Sequence, residues 1–218
     1  RVIRRTGARP VHSTIIVDTS NGQRTILYTR TGVVYPSGDE ITGSLIRDCR
    51  MLFLDAYAGE AAERAAGLAA EAGVTIVADV EKTSPRAAQF LVRRADHLII
   101  GLDAGREFTG LADPAEIAQT LGGVERACSA ITAGAEGCWF VERGGPPVHV
   151  PALQVRVVDT TGCGDVFHGA YAAEIVRGEP VFAAIRVATA AAGLKATQPG
   201  GRAGAPDRAA VDRVLAAL

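Results

Sequence analysis

The chain has 218 residues, of which 48% are hydrophobic and 22% charged, and its formal net charge is −1. That is enough chain for one sizeable domain with a real core. The near-neutral balance leaves no electrostatic footprint for nucleic acid or an anionic membrane, and neither is expected as a partner.

Apolar and helical patterns alternate along the chain. Residues 12–18 and 24–29 read as two strands joined by Thr19-Ser20-Asn21-Gly22-Gln23, in which Asn-Gly is a hairpin signal. Residues 51–55 read as a short buried strand. Residues 59–72, rich in Ala, Glu and Arg, predict a helix with a solvated charged face that ends on Gly73. A β-branched strand follows at 74–80. Ser84-Pro85 then has the layout of an N-cap and a first helical turn.

Residues 97–100 predict the next strand, and Asp113-Pro114-Ala115-Glu116 a capping box before another helix. Residues 127–132 read as a strand. Residues 138–142 and 148–150 read as a hairpin, with Trp139 expected in the core. Residues 155–159 read as a strand or an extended approach. Helices are expected at 165–177, 181–196 and 207–218. This alternation predicts an α/β sandwich with a largely parallel sheet. Ligands of such sheets bind at the carboxyl ends of the strands.

The cysteines (Cys49, Cys128, Cys138, Cys163) form no CxxC pair, which argues against a zinc site or a disulfide framework. Free thiols in a reducing cytoplasm are the simpler reading, and a cytoplasmic location is expected. The histidines (His12, His97, His149, His168) lack metal-ligand spacing, so no protein-held metal site is expected. The longest apolar stretches, such as 181–194, are too short to span a bilayer or carry Arg186. Residues 1–7 are basic without an apolar run behind them, unlike a signal peptide. They also lack an initiator Met, and the chain is expected to begin inside a longer protein or to have been processed.

The richest segment is Asp159-Thr160-Thr161-Gly162-Cys163-Gly164-Asp165. Its glycines let backbone N–H groups turn toward one point, and a helix N-terminus behind them adds unpaired donors. Together they make an anion hole suited to a phosphoryl group in transfer. Spacing alone leaves Asp165 with two readings, a base for an attacking hydroxyl or a helix cap.

Continued to Val166-Phe167-His168-Gly169-Ala170, the segment resembles the C-terminal signature of the PfkB or ribokinase family of carbohydrate kinases, and every fixed position of that pattern is met. The resemblance implies a ribokinase-like three-layer α/β/α sandwich with a mainly parallel sheet. It implies ATP-dependent phosphorylation of a hydroxyl, of the hydroxymethyl type, on a sugar or sugar-like molecule. Asp165 becomes the base, and Gly162, Cys163 and Gly164 become donors to the transferred phosphate. Thr132-Ala133-Gly134-Ala135-Glu136-Gly137 is similar to the family turn along the nucleotide phosphates, which makes Thr132, Gly134 and Gly137 candidates for nucleotide binding. The small-residue helix ending at Lys195 and the loop with Gln198 and Gly200 correspond to the adenine border, and Thr161 joins this set. Magnesium is expected through the ATP phosphates. Many relatives form a monovalent-cation site from the loop after that helix and the Asp159/Thr161 region, so the resemblance also allows a potassium ion.

Some positions depart from the pattern. Gly101 and Ala104 stand where the family carries N-x-x-E, and neither Asp103 nor Glu107 falls in register. The family begins well before the segment matching His12, so residues 1–218 are expected to form one kinase domain lacking its first strands and most of its lid. Residues 24–28 and 79–82 are the candidates to face the acceptor. His168 is expected to pack rather than to catalyse. A homodimer through lid strands is compatible with the family. Two other readings fit the same residues: a truncated or degenerate member that binds nucleotide or a partner without catalysis, and a kinase of nucleosides or vitamin alcohols.

Overall fold

The computed structural model describes residues 3–18, 24–81 and 86–217. Its centre is a sheet of β3 (Met51–Asp55), β4 (Thr75–Asp79), β5 (His97–Gly101), β6 (Cys128–Thr132), β7 (Cys138–Glu142) and β8 (Val148–Val150), which lie side by side in sequence order. The first four strands run parallel, and β7 and β8 are antiparallel additions. β1 (His12–Val17) and β2 (Arg24–Thr29) form a separate antiparallel pair in which His12 faces Thr29. The Asn-Gly turn expected between them, the Ser84-Pro85 helix start and Lys82 lie outside the described residues.

Strand alternation divides the core between two faces. Ile76, Ala78, Leu98, Ile100 and Ile131 face one way. They meet Ala66 and Ala69 of α2 (Glu60–Ala72), Leu91 of α3 (Arg86–Arg94) and Ile117 of α5 (Pro114–Leu121). Val77, Ile99, Ala130 and Phe140 face the other way. They meet Phe167 and Tyr171 of α6 (Cys163–Arg177) and Ile185 and Ala188 of α7 (Val181–Ala196). Val211 of α8 (Arg208–Leu215) packs on Val187, Ala190 and Ala191 of α7. The result is the expected three-layer α/β/α sandwich.

Helix ends follow local chemistry. Gly73 closes α2 in the left-handed conformation, and the Asp113 side chain accepts the N–H groups of Ala115 and Glu116 at the start of α5. Two helices had no clear sequence signal, namely α1 (Gly43–Arg47) and α4 (Leu102–Thr109). Two expectations are corrected and one open alternative is decided. β3 is an edge strand rather than a buried one, and Phe53 is 45% exposed on it. The approach at 155–159 forms no strand; its Val158 and Asp159 N–H groups both turn to the Ala196 carbonyl. Trp139 is half-buried rather than in the core, and it stacks on His149 with ring centroids 3.9 Å apart.

Candidate active site

α6 begins at Cys163, two residues earlier than expected, with Gly162 as its N-cap. Gly162 has φ 78°, and a Cβ there would lie 2.6 Å from the Gly201 carbonyl oxygen. Only glycine fits, because the left-handed backbone and the close approach exclude a side chain together. The first helical bond runs from Val166 N–H to Gly162 O. The N–H groups of Gly164 and Asp165 therefore precede the helical ladder at its positive end. Cys163 N–H donates to Thr160 O at 3.2 Å.

Asp165 sits in the first turn of α6, exposed, and no side chain caps this helix. The capping role is therefore taken by Gly162, and the Asp165 carboxylate is left for the cleft beside it. That cleft, of 520 Å³, is lined by Gly162, Gly164 and Asp165 from α6, by Thr132 and Gly134 from the turn after β6, and by Asp79 and Glu81 after β4. Asp79 and Glu81, and Thr132 and Gly134, stand at the carboxyl ends of the parallel strands β4 and β6, where an α/β sheet opens its ligand crevice. Gly137 closes the turn beneath, with φ 100°, and a Cβ on it would come within 2.2 Å of the Val150 carbonyl oxygen.

Thr161, Lys195, Gln198 and Gly200 meet behind this wall, around Asp159. The Asp159 carboxylate accepts the N–H groups of Thr161 and Gly200, each at 2.8 Å. Burial alone would raise this carboxyl, but the hydrogen bonds from Thr161 and Gly200 and the nearby Lys195 charge outweigh burial and bring it down to about 2. The Lys195 ammonium is fully buried and donates to the carbonyls of Asp159 and Gln198. These four residues thus support the loops flanking Asp165, and only Gly162 and Gly164 of the expected phosphate donors line the cleft itself.

His168, expected to pack, and Asp79, expected to face the acceptor, form a link that the sequence reading did not include. His168 is buried one turn after Asp165; its Nδ1 lies 2.7 Å from Gly164 O and its Nε2 3.2 Å from Ile99 O. Nε2 also lies 3.5 Å from Asp79 Oδ1. Carbonyl oxygens only accept, so a ring nitrogen engages either carbonyl only through its N–H. Burial pushes the Asp79 carboxyl up to about 6, against the lowering effect of His168. The three-residue spacing from Asp165 was the available signal, but which strand ends His168 meets depends on the fold. Among the described residues no three His, Cys, Asp or Glu side chains converge as a metal-binding group, and no helix is long and apolar enough to cross a membrane.

Comparison with known proteins agrees with this geometry. The family model for pfkB family carbohydrate kinase matches residues 1–208. A ribokinase from Bacillus subtilis (strain 168) is 38% identical over 85 residues, a stretch covering 39% of this chain and 29% of that protein. A crystal structure of an Agrobacterium tumefaciens protein assigned to the ribokinases is 30% identical, with a TM-score of 0.85 over 97% of this chain and 69% of its own. The ribokinase of Arabidopsis thaliana, solved with ribose and ATP, shares the fold at 24% identity and a TM-score of 0.74, over 94% of this chain and 69% of its own. The signature at 159–170, the cleft it opens on and the match across residues 1–208 place the chain in the pfkB family of carbohydrate kinases.

Proposed function

We propose that this chain carries the phosphoryl-transfer centre of an ATP-dependent kinase acting on a hydroxymethyl group of a sugar or sugar-like molecule. One observation carries the reading: the Asp165 carboxylate and the first-turn amides of α6 line the same cleft as the glycine turn at 132–134. Asp165 takes the proton of the acceptor hydroxyl as its oxygen forms a bond to the γ-phosphorus. The bond from that phosphorus to the β-phosphate oxygen breaks, and ADP leaves. The Gly164 and Asp165 amides and the positive end of α6 hold the charge on the transferred group. The side-chain-free surface of Gly134, Gly162 and Gly164 lets phosphate oxygens approach the backbone. Magnesium, when bound, neutralises phosphate charge; Asp103 and Glu81 on the cleft wall offer oxygen ligands of the type it takes.

Asp79 and Glu81 at the mouth of the cleft suit an acceptor rich in hydroxyls, and Tyr57 Oη donates to Glu81 at 3.0 Å. The chain spans 69% of the Agrobacterium structure, so contacts from outside these residues belong to the same proposal. So does homodimerisation through β1 and β2, where Ile16 is 57% and Leu27 56% exposed. The alternative of nucleotide binding without turnover draws on Gly101 and Ala104 at the family's N-x-x-E places.

A screen of ADP release over aldoses, ketoses, sugar acids and nucleosides tests the reading. Release that depends on a sugar or sugar acid is expected. Release seen only with nucleosides, or equal without any acceptor, contradicts it.

A further inference from the structure

Lys195 is fully buried and takes no part in the chemistry above. It lies in the last turn of α7, and its ammonium donates to two backbone carbonyls, Asp159 O at 2.8 Å and Gln198 O at 3.0 Å. The nearby Asp159 carboxylate is occupied with the Thr161 and Gly200 N–H groups. Burying an ammonium is costly, and an apolar side chain of the same length fills the space without that cost. The charge therefore answers a need of its surroundings.

That need is visible in the two carbonyls. They come from loops far apart in sequence and aim their negative ends at one buried point. Such dipoles repel unless a cation sits between them. A compact ammonium with three donors meets that demand as an alkali ion does when held by carbonyl oxygens. The loops so joined are the two that touch at the anion hole, where Gly162 leaves no room for a Cβ against Gly201.

We propose that Lys195 is a tethered monovalent cation: its ammonium locks the Asp159 and Gln198 carbonyls together and thereby positions the turn carrying Asp165, so that no free alkali ion is needed there. Lys195 is a positioning residue, and its effect on turnover rests on the kinase reading above. The potassium ion allowed by the sequence then has its charge supplied from within the chain.

The test compares the wild-type chain with Lys195→Ala and Lys195→Met in chlorides of N-methyl-D-glucamine, sodium, potassium, ammonium and methylammonium. Thermal unfolding and acceptor-dependent turnover are both read. Wild-type turnover is expected to vary by less than about twofold among the salts. Lys195→Ala is expected to lose about tenfold or more in N-methyl-D-glucamine, as misplacement of a catalytic turn does, and to regain both Tm and turnover in ammonium or methylammonium. Lys195→Met, whose side chain fills the space, is expected to regain neither. A wild-type requirement for potassium overturns the proposal even if no variant folds. A folded Lys195→Ala whose Tm ignores cation identity overturns it too. If no acceptor supports turnover the kinase reading fails, and the Tm recovery still decides the role of Lys195.

Discussion

The Asp159 carboxylate accepts the Gly200 N–H at 2.8 Å and so ties the approach to α6 to the loop that follows α7. Its charged form is stabilised by folding, since the carboxyl stands at about 2 against an ordinary 3.8. A lowered carboxyl contributes stability above its ordinary value, and that stability is lost as pH falls through the folded one. Asp159→Asn is expected to cost about 2 kcal/mol near neutral pH, from the lost charge-assisted hydrogen bonds. The cost should shrink between pH 4 and pH 2. Urea unfolding of the two proteins across that range measures it, and a pH-independent difference would contradict the assignment.

His168 holds the first turn of α6 to the middle of β5 through Gly164 O and Ile99 O. His168→Phe keeps a ring but removes both ring nitrogens and with them these hydrogen bonds. It is expected to lower kcat about tenfold to hundredfold, because Asp165 rides on the turn that loosens. Nucleotide affinity should stay within about threefold, since no new charge enters the cleft. Steady-state kinetics with a nucleotide-binding titration separates the two. A large loss of affinity at unchanged kcat would argue that His168 serves the nucleotide instead.

Asp79 gives a pH signature of the opposite sign to Asp159. Burial raises its carboxyl to about 6, so the folded protein holds this proton more tightly than the unfolded chain does. The resulting stability is present below the ordinary 3.8 and lost as pH rises through about 6. Asp79→Asn removes that loss, and its stability relative to wild type should climb between pH 4 and pH 6.5. His97, lowered to about 4 by burial, titrates in both proteins and cancels from the comparison. Parallel unfolding curves across this window would show that Asp79 is not held protonated by the fold.

Much of this arrangement was legible from residue order. The fixed signature at 159–170 pointed to the glycine turn and helix start that line the cleft with Asp165, and β-branched runs such as 74–80 marked the parallel strands. Glycine at C-caps and Asp at N-caps placed α2 and α5 closely. What escaped had physical causes. α4 starts on Gly101, which gives no capping side chain, and its Gly105 packs against Ile117 with no room for a Cβ. The inward turn of Lys195 and the link between His168 and Asp79 join residues distant in sequence. Only the closed sheet brings them together, so neither periodicity nor spacing could reveal them. Trp139 escaped because a large aromatic suggests a core position, whereas its partner is the ring of His149 across the β7–β8 pair.

Gly162 offers a test of the anion hole without touching a charged group. With φ 78° and Gly201 O where its Cβ would go, Gly162→Ala is expected to lose about 2 kcal/mol of stability. Turnover should fall further than stability explains, because the first-turn amides shift. Kinetics at a temperature where the variant is fully folded checks this, and wild-type kcat in a folded Gly162→Ala protein would contradict it.

Asp165→Asn removes the proposed base while keeping the size of the side chain. Acceptor-dependent ADP formation by this variant, measured beside its nucleotide affinity, is the most direct test of the phosphoryl-transfer assignment. A fall of about a hundredfold or more in kcat is predicted, with affinity for ATP within about threefold of wild type. Turnover near the wild-type rate would show that Asp165 is not the base of this site.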